Sequence, residues 1–351
     1  MSDYFKQRNI KSVQKLRGVL RELPEFCTTF FTGIESSTSA LTRLNYAYDL
    51  RIFFDFLICE TSDFPLEGQK QFTLEHLNSV TVTHIERFVS YLTYFVFNGR
   101  ESANSESAKS RKVSAVRRLF KYFYSNEALK ENVAERITMP KQHDKEIIRL
   151  ETDEIVKLLD EVESGERLSK RQKELHASTM IRDKAIFTLF LGTGIRISEL
   201  VGLNILDIDF DSGAFTVTRK GGNRTILYFS EEVSEALEDY IDFRKQRDDY
   251  KPDDALFISL KGNRISVRAV QQLVKKYAGN VTPNKKITPH KLRSTYGTNL
   301  YRETNDIYIV ADVLGHRDVN TTKKHYAALS DDIRRDAAKA VRLRDPNSKK
   351  D

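Results

Sequence analysis

A polar, proline-containing stretch at residues 137–149 divides this chain of 351 residues into two parts with different sequence patterns. Its sequence is ITMPKQHDKEIIR, and Pro140 ends any helix that precedes it. Before the stretch, apolar residues recur at helical spacing; after it, helical segments alternate with short β-branched and aromatic runs. The length corresponds to about two domains. We therefore expect a helical N-terminal domain at 1–140, a linker at 141–149, a second domain at 150–330, and a C-terminal helix and tail at 331–351.

Composition excludes several classes of protein. The chain carries 57 Lys+Arg against 50 Asp+Glu, and 40% of its residues are apolar, which is typical of a folded globular protein. No stretch approaches the roughly 18 consecutive apolar residues of a membrane span. The N-terminus lacks the apolar segment of a secretory signal. The net charge of +7 is compatible with an anionic partner but does not identify one.

The two cysteines indicate the redox conditions in which the protein works. Cys27 and Cys59 are too few for a disulfide framework, and both have aromatic and aliphatic neighbours in the sequence. We expect two buried free thiols in a reducing compartment, and hence a cytoplasmic protein.

The N-terminal part is predicted to be helical throughout. Apolar spacing predicts a helix over residues 3–24, and the Ser/Thr residues at 36–38 are candidate caps for the next one. A further helix is expected to begin at Thr83 and to end at Asn98-Gly99, and a polar connector follows at 100–107.

The helix after this connector carries charges of one sign. Between residues 109 and 121 there is no acidic residue, while an apolar stripe marks the buried face. Such a run is either a solvated helix face or a contact surface for phosphates. The candidate phosphate-binding side chains are Lys109, Arg111, Lys112, Arg117, Arg118 and Lys121.

The C-terminal part is predicted to be mainly helical with a small antiparallel sheet. The runs AFTVT (214–218) and RTILYF (224–229) flank RKGGN, which is typical of a β-hairpin. Residues 161–180 are strongly charged and weakly periodic. This segment is either a charged surface insertion or an additional contact for DNA or a second protomer.

Three separate segments of this part place basic or proton-donating side chains near helix ends. GTGIRISEL contains Arg196 and Glu199, and PHKLRSTYG contains His290 with Arg293 three residues later, on the same helical face. VLGHRDVNTTKKHYAAL contains a C-cap-type glycine, Gly315, followed by the last two candidates, His316 and Tyr326. Alone, each has an ordinary explanation as a surface ion pair, a helix-end histidine or a core tyrosine.

In this order, GTGIRISEL, HKLR and LGHRDVNTTKKHY resemble the tyrosine recombinase/integrase family, the Xer and phage-integrase type. STSALTRLNYAYDLRIFFDFL and SRKVSAVRRLFKYFY resemble that family's helical core-binding domain, so the resemblance covers nearly the whole chain. It implies an all-α core-binding domain of SAM-like helical-bundle type and a mixed, mainly α catalytic domain.

The resemblance implies DNA cleavage through a covalent 3′-phosphotyrosine. Tyr326 would be the nucleophile, and Arg196 and Arg293 would clamp the nonbridging oxygens of the phosphate through bidentate hydrogen bonds. His290 and His316 would add hydrogen bonds, and His290 could also assist in removing the tyrosine proton. Glu199 would orient Arg196 or His316. The covalent bond conserves the energy of the phosphodiester and the arginines stabilise its charge, so we expect no metal, ATP or other cofactor.

One assignment stays open, and one difference in spacing from the family leaves Tyr326 the expected nucleophile. Lys220, in the predicted hairpin turn, corresponds to the family's lysine general acid. Because Arg219, Lys220 and the glycines also match a phosphate-approaching loop, Lys220 could instead only bind phosphate. Tyr326 is ten residues after His316, whereas many relatives have nine, and position nine here is His325.

The resemblance also implies partners. We expect a duplex DNA site clamped between the two domains and four protomers on two such sites. The helix at 331–345 would be exchanged between protomers, an accessory protein could activate cleavage, and the location would be the bacterial nucleoid. An Xer-like role in chromosome or plasmid dimer resolution is favoured over an integrase of a mobile element. A type IB topoisomerase and a non-catalytic DNA-binding relative are weaker competing interpretations.

Overall fold

The structure, a computed structural model, describes residues 3–140, 148–219, 223–247 and 255–315. Internal contacts divide the chain into two units, with the boundary between Lys145 and Glu146 in the sequence. The N-terminal unit contains six helices and one hairpin in its described part. The C-terminal unit contains eight helices and a three-stranded sheet in its described part.

The helices of the N-terminal unit pack around a central helix. They are α1 (Asp3–Leu20), α2 (Phe26–Gly33), α3 (Ala40–Cys59), α4 (Leu74–Ser79), α5 (Val82–Tyr91) and α6 (Glu106–Ser125). α3 contacts α1, α5 and α6 and buries residues on more than one face. Phe53 of α3 packs against the rings of Phe88 and Phe120, with centroids 5.0 and 6.5 Å away. Buried aromatic rings together with aliphatic side chains form the apolar core of this unit.

Two predicted helices in this unit are shorter than expected. The helix predicted over residues 3–24 is α1, which ends at Leu20, and the second is α5. Thr81, not Thr83, caps α5, and the helix ends at Tyr91. The chain then forms a hairpin of β1 (Tyr94–Phe97) and β2 (Arg100–Ala103). Asn98 and Gly99 have positive φ values of 51° and 71°, which is the conformation that a two-residue hairpin turn requires. The Asn-Gly pair was therefore a hairpin signal rather than the end of a helix.

Only one of the two cysteine thiols is buried, whereas both were expected to be. Cys27 of α2 is buried, whereas Cys59, the last residue of α3, is exposed. The prediction of two buried thiols is therefore wrong for Cys59, because α3 reaches the surface at its carboxyl end.

The C-terminal unit is built around a buried helix. Its helices are α7 (Thr152–Ser164), α8 (Lys170–His176), α9 (Met180–Thr193), α10 (Ile197–Gly202), α11 (Glu231–Lys245), α12 (Val267–Val281), α13 (Pro289–Thr304) and α14 (Ile307–Leu314). α9 contacts α7, α11 and α13, and its residues 185–190 are all buried. Asp183 in its first turn is fully buried and accepts a hydrogen bond from the Tyr277 hydroxyl of α12 at 3.0 Å.

The predicted hairpin of the C-terminal unit is confirmed. β4 (Ala214–Thr218) pairs antiparallel with β5 (Arg224–Tyr228), and the short strand β3 (Ile208–Asp209) lies on the other side of β4. Phe215, Val217 and Leu227 point to the buried face of the sheet. The strand β4 ends next to Arg219, so the sheet fixes where the backbone of this residue lies.

The charged segment 161–180 is folded onto the C-terminal unit. It contains the end of α7 and the whole of α8. Leu168 is buried, and the buried His176 ring has its Nε2 2.8 Å from the Val162 carbonyl oxygen. Lys170, Arg171 and Lys173 of α8 are exposed. The segment is thus a packed element with a charged outer side, and its role in binding stays a prediction.

One buried acid in the N-terminal unit generates a prediction about stability. Asp49 of α3 is 1% exposed and forms an ion pair with Arg111 of α6. Burial raises the pKa of the Asp49 carboxyl from 3.8 to about 6, although Arg111 and Lys112 partly oppose the change. Between these two pKa values the folded chain binds more protons than the unfolded chain does. The free energy of unfolding should therefore decrease as the pH rises from about 4 to 6.

Asp49→Asn removes this titration, so the variant should lose that part of the pH dependence. Urea unfolding of the full chain at several pH values between 4 and 7 measures it, with the exposed Asp211→Asn as control. An identical pH profile for wild type and Asp49→Asn would contradict the prediction.

Candidate active site

Three arginine side chains of the C-terminal unit meet at the carboxyl end of α14. Arg196 donates hydrogen bonds to the carbonyl oxygens of Leu314 at 3.0 Å and Gly315 at 2.8 Å. Arg293 donates to the Leu314 carbonyl as well, and Arg219 donates to the Val313 carbonyl at 2.9 Å. The last carbonyls of a helix have no partners within the helix and carry its partial negative charge, so they attract cations.

Local sequence explains how Arg196 reaches this position. α9 ends at Thr193, its C-cap Gly194 adopts a left-handed conformation with φ of 60°, and Arg196 is the N-cap residue of α10. Glu199, buried three residues later, accepts from the Arg196 guanidinium at 2.9 Å through Oε1 and from its backbone N–H at 3.1 Å through Oε2. Glu199 therefore fixes both the backbone and the side chain of Arg196. Of the two orienting roles predicted for Glu199, the contact with Arg196 is the one in the described structure.

Arg293 and His290 lie in the first turns of α13. Thr288 caps this helix by accepting from the Lys291 backbone N–H, and Pro289 occupies its first position, as is common at helix starts. Arg293 is buried, and it donates to the Gly194 carbonyl at 2.5 Å in addition to its contact with α14. His290, one turn earlier, is exposed. The HxxR spacing thus places an exposed imidazole one turn from a buried guanidinium.

Arg219 enters the same cluster from the sheet. Its backbone N–H donates to the Asn223 carbonyl at 2.8 Å, directly beyond the last pair of β4 and β5. Its guanidinium is partly buried, and the Nε atom is buried without a hydrogen-bond partner. Burial lowers the pKa of Arg219; among the charges, Glu199 and Asp312 oppose this effect and Arg196 reinforces it. The cluster therefore brings like charges together, and Glu199, Asp312 and backbone carbonyls offset their repulsion.

Guanidinium groups collected in this way suit an anion with several oxygens. Each carries five N–H donors in a planar fork that matches phosphate geometry. Arg196 and Arg293, predicted from the sequence as the phosphate clamp, do come together: both donate to the Leu314 carbonyl. That carbonyl oxygen marks a point where an acceptor meets two guanidinium groups at once.

Three predicted site residues lie outside the described residues. They are Lys220, His316 and Tyr326. Arg219 and Gly315, which precede Lys220 and His316 in the sequence, both belong to the cluster. The roles of these three residues stay predictions, as does the exchange helix at 331–345.

The six basic residues predicted on α6 divide into two groups. Toward its amino end, Lys109 donates to Glu106 at 2.8 Å, Lys112 donates to Asn104 at 3.0 Å, and Arg111 pairs with Asp49. Lys109 and Lys112 are only 8% and 6% exposed, so either ammonium would have to break an internal contact to reach a phosphate.

The second group lies toward the carboxyl end of α6. Arg117 donates to the Glu135 carbonyl at 2.9 Å and Arg118 to the Ser37 hydroxyl at 3.1 Å, both at the surface. Lys121 is exposed. In the described structure, these three side chains reach the surface without pairing with a buried acid, whereas Arg111, although exposed, is held by the buried Asp49.

Sequence reasoning missed two partners of these arginines. The acid-free run at 109–121 concealed the acid that neutralises Arg111, because Asp49 comes from another helix. Its position inside the apolar face of α3 was the available signal. The second partner that was missed is the end of α14, whose backbone carbonyls accept hydrogen bonds from the three arginines of the C-terminal unit. Backbone acceptors cannot be recognised from the types of the side chains.

Within the described ranges, no cluster of three or more His, Cys, Asp or Glu side chains could hold a metal ion. Among the helices of the same ranges, none is long and apolar enough to cross a membrane.

Comparison with known proteins shows the family to which the chain belongs. The model of the phage integrase family matches residues 148–332, which is more than half of the chain. The chain belongs to this family.

Its relatives carry Xer names. A tyrosine recombinase XerC of Caldanaerobacter subterraneus is 33% identical over 310 residues, covering 86% of this chain and 81% of the relative. A tyrosine recombinase XerS of Streptococcus agalactiae is 29% identical over 350 residues, covering 91% and 96%. The family predicted from the sequence motifs is thus confirmed.

Solved structures of the phage integrase family share the fold. The XerH recombinase bound to a palindromic difH substrate, in a post-cleavage complex, aligns with a TM-score of 0.65 at 19% identity over 86% of this chain and 80% of that one. A lambda integrase dimer bound to a core site aligns with a TM-score of 0.61 at 15% identity over 86% and 94%. The predicted fold class is confirmed, with the β1–β2 hairpin as an addition to the helical N-terminal unit.

Proposed function

We propose that this member of the phage integrase family is an Xer-type site-specific DNA recombinase that resolves chromosome or plasmid dimers. It cleaves and rejoins duplex DNA through a covalent 3′-phosphotyrosine and a Holliday junction. The observation that carries the proposal is the convergence of Arg196 and Arg293 on one acceptor, the carbonyl of Leu314, which is two residues before His316 in the sequence. The Xer-named relatives, which match up to 91% of the chain among those compared, favour this role over that of a mobile-element integrase.

The reaction that follows is a phosphoryl transfer. The Tyr326 oxygen attacks the phosphorus and gives up its proton, which His290 is proposed to help remove. The bond between Tyr326 and the 3′ phosphate forms as the bond to the 5′ oxygen breaks. Arg196 and Arg293 stabilise the charge that develops on the nonbridging oxygens, which is commonly the largest contribution to such catalysis. His290 and His316 hydrogen-bond the same phosphate. Lys220 either donates a proton to the leaving 5′ oxygen or binds phosphate.

Rejoining reverses these steps with the 5′ hydroxyl of a second strand as the nucleophile. Because the phosphotyrosine conserves the bond energy, the proposed reaction consumes no nucleotide and uses no cofactor. A phenol has an ordinary pKa of about 10, so the cationic cluster also favours the phenolate form of the nucleophile.

Binding to DNA is proposed to involve α6 as well as the active site. Phosphate contacts dominate the affinity of most DNA-binding proteins and position them on the duplex. The surface cations Arg117, Arg118 and Lys121 support this assignment, whereas Lys109 and Lys112 are held by internal hydrogen bonds. Arg111 is proposed to serve the fold through its pairing with Asp49.

Assembly and location complete the proposal. We propose a homotetramer on two DNA sites, formed by exchange of the helix at 331–345, with a possible need for an accessory activator. The small apolar residues of this segment, such as Ala337 and Val341, suit a groove on a neighbouring protomer. A recombinase of chromosomal or plasmid DNA acts in the cytoplasm, at the nucleoid.

The nucleophile can be tested with a nicked suicide DNA substrate. Wild type should form a covalent protein–DNA adduct that survives SDS, because the freed 5′ fragment diffuses away and rejoining is blocked. Tyr326→Phe should abolish the adduct while keeping DNA affinity, and EDTA should leave wild-type adduct formation unchanged. An adduct formed by Tyr326→Phe would refute the assigned nucleophile, and loss of the adduct in EDTA would refute a metal-independent reaction.

Glu199 should be a positioning residue for Arg196. Glu199→Ala removes the two carboxylate acceptors of Arg196 and leaves only backbone carbonyls among its described hydrogen-bond partners. Single-turnover cleavage should therefore fall about tenfold or more, equivalent to about 1.4 kcal/mol. Glu154→Ala is a matched control, because Glu154 makes the same capping contact with the backbone N–H of Glu151 at 2.8 Å in α7. The control should lose similar stability but keep its cleavage rate. Equal loss of rate in both variants would contradict the positioning role.

The two groups of basic residues on α6 should differ in salt dependence. Arg118→Gln with Lys121→Gln removes two surface charges, whereas Lys109→Gln with Lys112→Gln removes two internal ones at the same spacing. For each phosphate that is no longer neutralised, the slope of log K against log salt should become shallower by about 0.9. Fluorescence anisotropy over a salt series should show this change only for the first pair. The same change for the second pair would place Lys109 and Lys112 on DNA.

A further inference from the structure

Arg219 connects two elements of the C-terminal unit that are separate in the sequence. Its backbone is fixed by the hydrogen bond to Asn223 that continues the β4–β5 ladder. Its guanidinium donates to the Val313 carbonyl at 2.9 Å and approaches the Asp312 carbonyl at 3.5 Å. The side chain thus ties the end of the hairpin to the carboxyl end of α14.

The backbone of α14 is shaped to receive this side chain. Gly315 ends the helix with φ of 61°, a left-handed conformation that glycine adopts without strain. A Cβ atom added at this position would lie 1.9 Å from Nη1 of Arg219, closer than any non-bonded contact allows. Glycine therefore suits the backbone conformation at position 315, and a side chain there would displace the Arg219 guanidinium.

The helix end held by Arg219 is the same one that orients the phosphate clamp. Arg219 contacts the carbonyls of residues 312 and 313, while Arg196 contacts those of residues 314 and 315. Arg293 shares the Leu314 carbonyl with Arg196. A shift of the α14 end would therefore move the acceptors of both clamp residues together.

We propose that Arg219 is a positioning residue that holds the carboxyl end of α14 against the β4–β5 hairpin and thereby presets Arg196 and Arg293 for the scissile phosphate. This inference rests on the proposed function and assigns Arg219 a role beyond general DNA binding. The competing assignment is that Arg219 leaves α14 and contacts a DNA phosphate directly. The two roles differ in what they affect, since positioning changes the cleavage rate and a phosphate contact changes affinity and its salt dependence.

The first test compares Arg219→Gln and Arg219→Lys in the full chain, with single-turnover cleavage of a suicide substrate at saturating DNA. Arg219→Gln should cleave about tenfold more slowly or worse, with unchanged Kd and salt slope. Lysine keeps the charge but lacks the planar fork, so Arg219→Lys should recover part of the rate. Arg224→Gln, at an exposed position on the same hairpin opposite Thr218, is the matched control and should keep its cleavage rate.

A change in salt slope of about 0.9 together with weaker binding in Arg219→Gln would overturn the proposal in favour of a direct phosphate contact. An unchanged cleavage rate would overturn it as well. Failure of the wild type to form any adduct would instead refute the proposed function, so the two failures are distinguishable.

The second test is a double-mutant cycle between Arg219 and Gly315. Gly315→Ala should slow cleavage because its methyl group displaces the Arg219 guanidinium. In an Arg219→Ala background that steric conflict is absent, so the same Gly315→Ala change should reduce the rate by a smaller factor. Strictly multiplicative effects would show that the two positions act independently and would contradict the proposal. Gly315→Ala leaves Arg219 unsubstituted, so this variant tests the contact even where Arg219→Gln folds poorly.

Discussion

The proposed active site depends on the hydrogen bonds between three arginine side chains and the backbone carbonyls at the carboxyl end of α14. The three guanidinium groups come from three different parts of the C-terminal unit. Like-charged groups repel one another, so they stay together only where oriented dipoles and an acid offset the repulsion. Here the helix end and the buried Glu199 provide that compensation. A phosphate would replace part of it with a full negative charge, which the cluster binds more strongly than neutral carbonyls.

The hydrophobic core of the C-terminal unit determines where these arginines start. α9 is buried along most of its length and ends at Thr193, with Gly194 as its C-cap two residues before Arg196. The packing of this helix therefore sets the position of the first arginine. α13 packs on α9 and carries Arg293, which also donates to the Gly194 carbonyl. The sheet supplies Arg219 from the end of β4. The geometry of the cluster therefore follows from helix and strand packing and not from a flexible loop.

Much of this arrangement is encoded in local sequence, and the rest is not. The β4–β5 hairpin, the helix starting at Pro289 and the motif residues follow from short-range patterns such as Gly-rich turns, caps and HxxR spacing. The β1–β2 hairpin was missed because its apolar run, TYFVF, fits a helix continuation as well as a strand. The pairing of Arg111 with Asp49 joins residues 62 positions apart, so no local pattern on α6 reveals it. The backbone acceptors at the end of α14 likewise cannot be predicted from the types of the side chains.

The most direct test of this account is whether the arginine cluster acts by neutralising phosphate charge. A suicide substrate can carry a methylphosphonate at the scissile position, where a methyl group replaces one nonbridging oxygen and removes the negative charge. The measurement is the ratio of single-turnover cleavage rates of wild type and Arg293→Ala on the natural and the neutral substrate. The account predicts that Arg293→Ala loses far less activity on the neutral substrate than on the natural one. An equal loss on both substrates would contradict it, because Arg293 would then support the fold without stabilising the charge of the reacting phosphate.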